Sequence, residues 1–272
     1  MMISLLSIWE ISRKEFYEHL KTKRFILISG LYALGFILSI WISSYYNDTL
    51  TSRDFLEILA ASHSVTSIFY AILPIALSYD LISRERINKS IYLLLSKPVN
   101  REEVVLGKFL GVFLVICSIL IPVVTIGSAI FSLYHGTPSL HDLSKSYLYL
   151  GAIILATSCY ISLSLLFSTF SRSSATSLIL SLIIGWFGLS MIYPLSVMYR
   201  AFSGNVSGIP WYVKIAYAIS PYNNLNSLQR IISKPLYQNP PISVEQSIFS
   251  LIVFFVVTLL LSLIIFKRED LS

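Results

Sequence analysis

Residues 80–108 read DLISRERINKSIYLLLSKPVNREEVVLGK, and this stretch decides how the rest of the chain is interpreted. It holds six basic and four acidic side chains between two strongly apolar runs. A Lys, Arg or Asp at the centre of a bilayer helix is penalised by roughly 2.5–3.5 kcal/mol, so a cluster of such groups is expected in water. The sequence therefore predicts that residues 82–108, called the charged loop below, join two membrane spans.

The composition of the whole chain agrees with this interpretation. Of its 272 residues, 55% are hydrophobic and only 12% are charged, and the mean hydropathy is +0.74. A soluble domain usually carries about 25% charged residues, so this chain has too little polar surface to cover itself in water. The composition predicts an integral membrane protein, and its basic residues cluster beside apolar runs instead of forming a nucleic-acid-binding stripe.

A membrane-spanning helix needs about 20 mostly apolar residues, and six stretches of this chain meet that requirement. The sequence predicts an all-α, polytopic membrane protein in one domain, residues 1–272, with spans at about 25–46, 63–81, 109–134, 146–171, 175–195 and 247–266. Residues 196–246 form the longest segment outside these spans and the charged loop. Breakers and interleaved Trp and Tyr predict short helices there, at the outer membrane surface, and leave open whether they re-enter the membrane.

Residues 3–24 are predicted to form an amphipathic helix that lies on the membrane surface. Charged residues occupy one face, and the other face carries the apolar side chains of Leu5, Ile8, Trp9, Phe16 and Leu20. A core helix of a soluble protein is the alternative interpretation of the same pattern. The span that follows at once favours the surface helix.

The Lys and Arg residues beside the spans predict the orientation of the chain. With six spans, fourteen of the 20 basic residues fall on the side that holds both termini and the charged loop, and six fall on the other side. Cytoplasmic flanks carry the excess of Lys and Arg. Both termini and the charged loop are therefore predicted to be cytoplasmic.

Within the charged loop, the sequence predicts two helices separated by Pro98. Apolar residues at helical spacing indicate a short amphipathic helix, with one face formed by Ile87, Ile91, Leu94 and Leu95. The residue before a proline disfavours helix, so this helix should end near Lys97. Asn100 and Glu103 can cap a second helix, which runs directly into the span that begins at Phe109.

An ordered set of residues in this loop resembles the first cytoplasmic loop of the ABC-2 type permeases, the membrane subunits of ATP-binding-cassette exporters. The set comprises Asp80, Glu85-Arg86, Leu93-Leu94-Leu95-Ser96, Pro98, Arg101 and Val105-Leu106-Gly107-Lys108. Lys89-Ser90 stands where the family usually has a Gly-Thr pair. The resemblance implies that two permease subunits, identical or related, pair to enclose a transport path, and that separate ATPase subunits dock on the cytosolic face.

By this resemblance the charged loop transmits motion between the ATPase and the spans. Glu85, Arg86, Arg101 and Lys108 are then candidates for polar contacts or internal bracing of the loop, and Ile91 and Leu94 for seating it on the ATPase. Asp80 either pairs with Arg84 or Arg86 or simply reaches water at the end of its span. Gly107 and Gly111 form a Gly-x-x-x-Gly spacing that permits close helix approach.

Motifs for chemistry of its own are missing from the sequence. Gly107-Lys108 is followed by Phe109 and lacks the upstream glycine of a phosphate-binding loop, so ATP is expected on a separate subunit. No zinc, nucleophile-turn or intramembrane aspartyl motif occurs, and Cys117 and Cys159 lie within apolar runs. We expect no cofactor or metal and no enzyme activity. A non-transporting membrane scaffold remains the alternative function, and the substrate cannot be read from the sequence.

Overall fold

The computed structural model describes residues 4–47, 49–88, 100–203, 208–233 and 240–268, and these residues are built from helices and their connections. The α-helices within these ranges are α1 Leu5–Leu20, α2 Lys23–Tyr46, α3 Phe55–Val65, α4 Phe69–Ser78, α5 Ser83–Ile87, α6 Arg101–His135, α7 Leu140–Phe170, α8 Ser174–Leu180, α9 Leu189–Phe202, α10 Trp211–Ala218, α11 Pro221–Leu228 and α12 Val244–Arg268. A π-helical segment, Ser181–Gly188, joins α8 to α9. The all-helical prediction is confirmed.

Five of these elements are long and apolar enough to cross a membrane: α2, α6, α7, the continuous unit Ser174–Phe202, and α12. A sixth crossing results if the helical segments Ser52–Val65, which ends in α3, and Phe69–Ile87, which begins with α4, count as one bent span; they meet at an angle of 50°. Of the most apolar 18 residues in each helix, 50% of α6 and 72% of α7 are buried, against 17% of α2 and α12. The two long helices α6 and α7 therefore form the centre, with the other spans around them.

The bent helix pair of this candidate sixth span, called the second crossing below, differs from the span predicted at 63–81. Helical structure begins earlier, at Ser52–Asp54, and a turn at residues 66–68 divides the crossing into α3 and α4. The bend does not lie at Pro74, which is inside α4. At the bend itself, the hydroxyls of Ser62, Ser64 and Thr66 donate to backbone carbonyls four residues earlier in the chain. Such back-bonding weakens and bends a helix, and a hydropathy pattern does not reveal it.

The first helix also presents an unexpected face to the protein. Its buried side chains form one stripe along α1 and pack on α6: Ile8, Ser12, Glu15 and His19. Of the predicted apolar face, Leu5 is 80% exposed and Trp9 is 58% exposed, whereas Ile8 is buried and Phe16 packs against the core. The polar residues of this stripe, called the polar stripe below, are buried because the facing surface of α6 consists of small and charged residues, as described below.

Contacts between distant segments define two ends of the molecule. At one end, called the charged end, Lys267 at the end of α12 pairs with Glu102 at the start of α6 at 2.7 Å. At the opposite end, His135 contacts the carbonyl of Ser44, and the indole of Trp41 donates to the hydroxyl of Tyr134. The start of α1 and the first flank of the charged loop also lie at the charged end, where Glu103 on α6 contacts Ser4 and Lys108 on α6 contacts Glu85.

Candidate functional site

A buried lysine lies at the centre of the charged end. Lys108 on α6 is 1% exposed, and its Nζ lies 2.6 Å from Oε1 of Glu15 and 2.9 Å from Oε1 of Glu85. Glu15 belongs to α1 and Glu85 to α5. An ammonium group withdrawn from water is stable only when paired and hydrogen-bonded. Lys108 therefore holds three separate helices together, and this triad is called the Lys108 clamp below.

Two glycines of α6 make the clamp geometrically possible. A Cβ at Gly107 would lie 2.7 Å from Cβ of Ile11, and a Cβ at Gly111 would lie 2.6 Å from Cβ of Glu15. Real Cβ atoms do not approach so closely, so any larger residue would push α1 away. The close helix approach predicted for this spacing is confirmed, and its partner is α1. The glycines thereby bring Glu15 within reach of Lys108.

Asp80, at the end of the second crossing, is bound chiefly by Arg24 at the start of α2. Arg24 Nη2 donates to Asp80 Oδ2 at 2.8 Å, and Nη1 donates to the hydroxyl of Tyr79 at 2.6 Å. Arg84, one of the two predicted partners, lies at 4.0 Å from the same carboxylate. Arg86, the other predicted partner, makes different contacts. The main ion pair thus fastens the second crossing to the first.

Arg86 connects α5 to the end of α7. Its Nη1 donates to the carbonyl of Ser171 at 2.9 Å, and its Nη2 donates to that of Thr169 at 3.0 Å. The last carbonyls of a helix lack partners within that helix and attract positive charge. Ser168 Oγ in turn accepts from the backbone N–H of Ile82 and Ser83. The first turn of the charged loop is therefore fastened to the end of α7.

The other flank of the charged loop is fastened at the start of α6. The Glu103 carboxylate accepts the backbone N–H of Asn100 at 3.2 Å, so the predicted capping by this pair is confirmed. The same carboxylate accepts the backbone N–H of Ser4 at 2.8 Å, at the beginning of α1. Arg101 Nη1 donates to the carbonyl of Phe266 at 3.2 Å, near the end of α12. Both α1 and α12 are thus connected to the second flank.

A cavity of about 530 Å³ lies beside the clamp, between α1, the start of α2 and α5. Charged groups dominate its lining, including Glu18, Lys21, Arg84 and Asp80. His19 also lines it, and burial lowers the pKa of this imidazole although Glu15 and Asp80 attract its charged form. The His19 side chain, which lines the cavity beside the clamp, is therefore uncharged at neutral pH.

The structure brings together most of the site residues expected from the sequence. Six of them lie at the charged end: Asp80, Glu85, Arg86, Arg101, Gly107 and Lys108. Ile91, Leu94 and Pro98 lie outside the described residues. Glu15 and Arg24 were not identified from the sequence, because a charged residue on a short helix or at a span end is usually solvated.

These features define a class of protein: a polytopic helical membrane subunit whose largest charged loop is bound at both flanks by its own helices. The chain belongs to the ABC-2 family of transporter proteins, whose family model matches residues 9–271.

Two relatives carry the same name, probable ABC transporter permease protein NosY. The chain is 28% identical over 199 residues to the one from Pseudomonas aeruginosa, which covers 70% of each protein. It is 28% identical over 104 residues to the one from Stutzerimonas stutzeri, which covers 38% of each. The family and these names identify the chain as a membrane permease subunit of an ABC transporter.

Proposed function

We propose that this permease subunit works as a dimer, with an identical or related partner, and that separate ATPase subunits drive export through it. The charged loop, residues 82–108, is the element that receives motion from the ATPase. The observation that supports this role most directly is the Lys108 clamp, in which Glu85 near the start of the charged loop and Lys108 at its end are bound to each other. A force on the loop therefore acts on α5 and α6 together.

The helix that follows the loop is a suitable lever. α6 runs without interruption from Arg101 to His135, through Pro122, and its 35 residues span about 52 Å at the usual helical rise. Its first turn is capped by Asn100 and Glu103, so the pushed end does not fray. A displacement at the charged end would reach the opposite end of the molecule.

We further propose that the charged end faces the cytoplasm of a cell membrane and that α1 lies at the membrane surface. The excess of Lys and Arg on this side supports the orientation. Leu5, Leu6 and Trp9 are 80%, 77% and 58% exposed and point away from α6, which suits an interfacial helix among lipids. In this placement the exposed apolar face meets lipid while the polar stripe meets protein.

Coupling can be tested without knowing the substrate. The full chain is reconstituted in proteoliposomes with the ABC ATPase that co-purifies with it, and ATP hydrolysis is compared with that of the ATPase alone. We expect the permease to change the rate, and Glu85→Gln and Arg101→Gln to abolish that change while the chain still inserts and still retains the ATPase. Arg53→Gln, at an exposed arginine of the opposite end, is the matched control.

Wild-type modulation of hydrolysis in both variants would count against the transmission role. If the wild-type chain retains an ATPase but leaves its rate unchanged, a scaffold describes the protein better than a motor-driven permease. The direction of transport is tested in the same proteoliposomes. ATP is supplied only on the face that binds the ATPase, and export predicts that a solute moves from that face to the other.

A further inference from the structure

The break in the second crossing is an ordered turn between two helical arms. α3 ends at Val65 and α4 begins at Phe69; the two arms, Ser52–Val65 and Phe69–Ile87, meet at 50°. Carbonyls in the break accept from backbone amides three residues later, at the start of α4: Thr66 from Phe69 at 3.0 Å and Ser67 from Tyr70 at 3.2 Å. Unbonded backbone groups are costly in a membrane, so these bonds let the bend persist there.

Side chains also bond across the break. His63 on α3 shares a hydrogen bond through its Nδ1 with the hydroxyl of Tyr70 on α4. The two residues are 1% and 2% exposed, and Thr66 Oγ1, within the break, lies 3.3 Å from the same hydroxyl. A hydrogen bond weakens steeply when its distance or angle departs from the optimum. The His63–Tyr70 bond therefore favours one particular angle between the arms.

The two arms are fastened to different parts of the molecule. On α3, the carbonyl of Ala60 and the hydroxyl of Ser64 accept from the side-chain amide of Gln229, which follows α11, at 3.1 Å and 2.9 Å. α4 leads to Asp80, which Arg24 holds at the charged end. A change of angle at the break would therefore move the opposite end relative to the charged end.

We propose that residues 66–68 are a hinge and that the His63–Tyr70 hydrogen bond is the latch that holds its bent state. The inference does not depend on ATP coupling or on the direction of transport. The net stabilisation from one such bond favours the bent state over other hinge angles by about two- to twelvefold in population. Removing it should raise the fraction of chains with other hinge angles by roughly two- to twelvefold.

Spin-label distance measurements on the permease alone, in lipid nanodiscs, test this directly. The labels replace Glu57 on α3 and Leu140 at the start of α7, both exposed, in a full-length chain whose two native cysteines are changed to serine. The arm from Glu57 to Thr66 is about 14 Å long, so straightening the 50° bend would move Glu57 by about 11 Å.

We expect one main distance for the parent chain and, for His63→Ala and Tyr70→Phe, a second population displaced by up to about 11 Å. Tyr70→Phe keeps the aromatic ring, so it carries the test if His63→Ala does not fold. Tyr160→Phe is the matched control, because it removes a buried hydroxyl from α7 beside α4 and outside the latch. Parent-like distances in Tyr70→Phe, or an equal second population in Tyr160→Phe, would overturn the latch.

Discussion

Replacing Lys108 by Met should destabilise the protein strongly. The substitution keeps the length of the side chain but leaves Glu15 and Glu85 facing each other without a cation. The side chains are 2% exposed for Lys108, 7% for Glu15 and 15% for Glu85, so solvent screens the remaining charges poorly. Removing one partner of such a buried pair costs about 3–5 kcal/mol.

A loss of that size is measurable as a shift in thermal unfolding of the purified full chain in detergent. By the usual scaling for chains of this size, Tm should fall by roughly 6–20 °C. Lys267→Met is the control, because it breaks an ion pair of similar length, 2.7 Å, whose lysine is 69% exposed. An exposed pair contributes about 0–1 kcal/mol, so this variant should stay close to the parent.

A second set of variants separates the charge effect from packing. Glu15→Gln and Glu85→Gln, added to Lys108→Met, remove both unpaired charges and should restore at least half of the lost Tm. If Lys108→Met is no less stable than Lys267→Met, the ammonium is not buried against two carboxylates. If the triple variant stays as unstable as Lys108→Met, the loss comes from packing and the electrostatic reasoning is refuted.

Two further predictions concern α1. Gly107→Leu and Gly111→Leu should displace α1 from α6 and lower the free energy of unfolding by about 1–3 kcal/mol. The displacement should appear as faster proteolysis of α1. Gly151→Ala is the control and should have no such effect, because the space around Gly151 is open. Burial lowers the pKa of His19, so its neutral form is the one stabilised by folding. Stability from His19 is therefore present above the unfolded pKa of about 6.5 and lost as pH falls below it. The Tm should decline between about pH 7 and pH 5, less so in His19→Gln; an unchanged slope in that variant contradicts the assignment.

The spans could be predicted from the sequence because their signal is local. Runs of about 20 apolar residues can be recognised directly in the sequence. The Asn100–Glu103 cap likewise depends on residues only three positions apart. The bend at residues 66–68 was missed because it arises from hydroxyls that bond to their own helix, with neither Pro nor Gly at the break.

Only part of the site could be predicted, because its remaining residues come together from distant parts of the sequence. Glu15 and Lys108 are 93 positions apart, and Arg24 and Asp80 are 56 apart. On α1, Ser12, Glu15 and His19 have the pattern of a solvated face. Their burial depends on two glycines of another helix, and no periodicity within α1 can show where that helix will lie. Residues in the loop were found because charge inside an apolar chain is conspicuous.

The proposed coupling role would account for the charges of the Lys108 clamp better than a role in stability alone. A buried ion pair is often replaceable by apolar side chains at no cost, so three charged residues are a poor choice if holding α1 against α6 is the only purpose. They do specify one register, since a slip of α1 along α6 would separate Glu15 from Lys108 and press side chains onto Gly107 or Gly111. The triple neutral variant distinguishes the two roles. If it regains stability but no longer changes the ATPase rate, the clamp transmits motion; if it regains both, the clamp only holds the helices together.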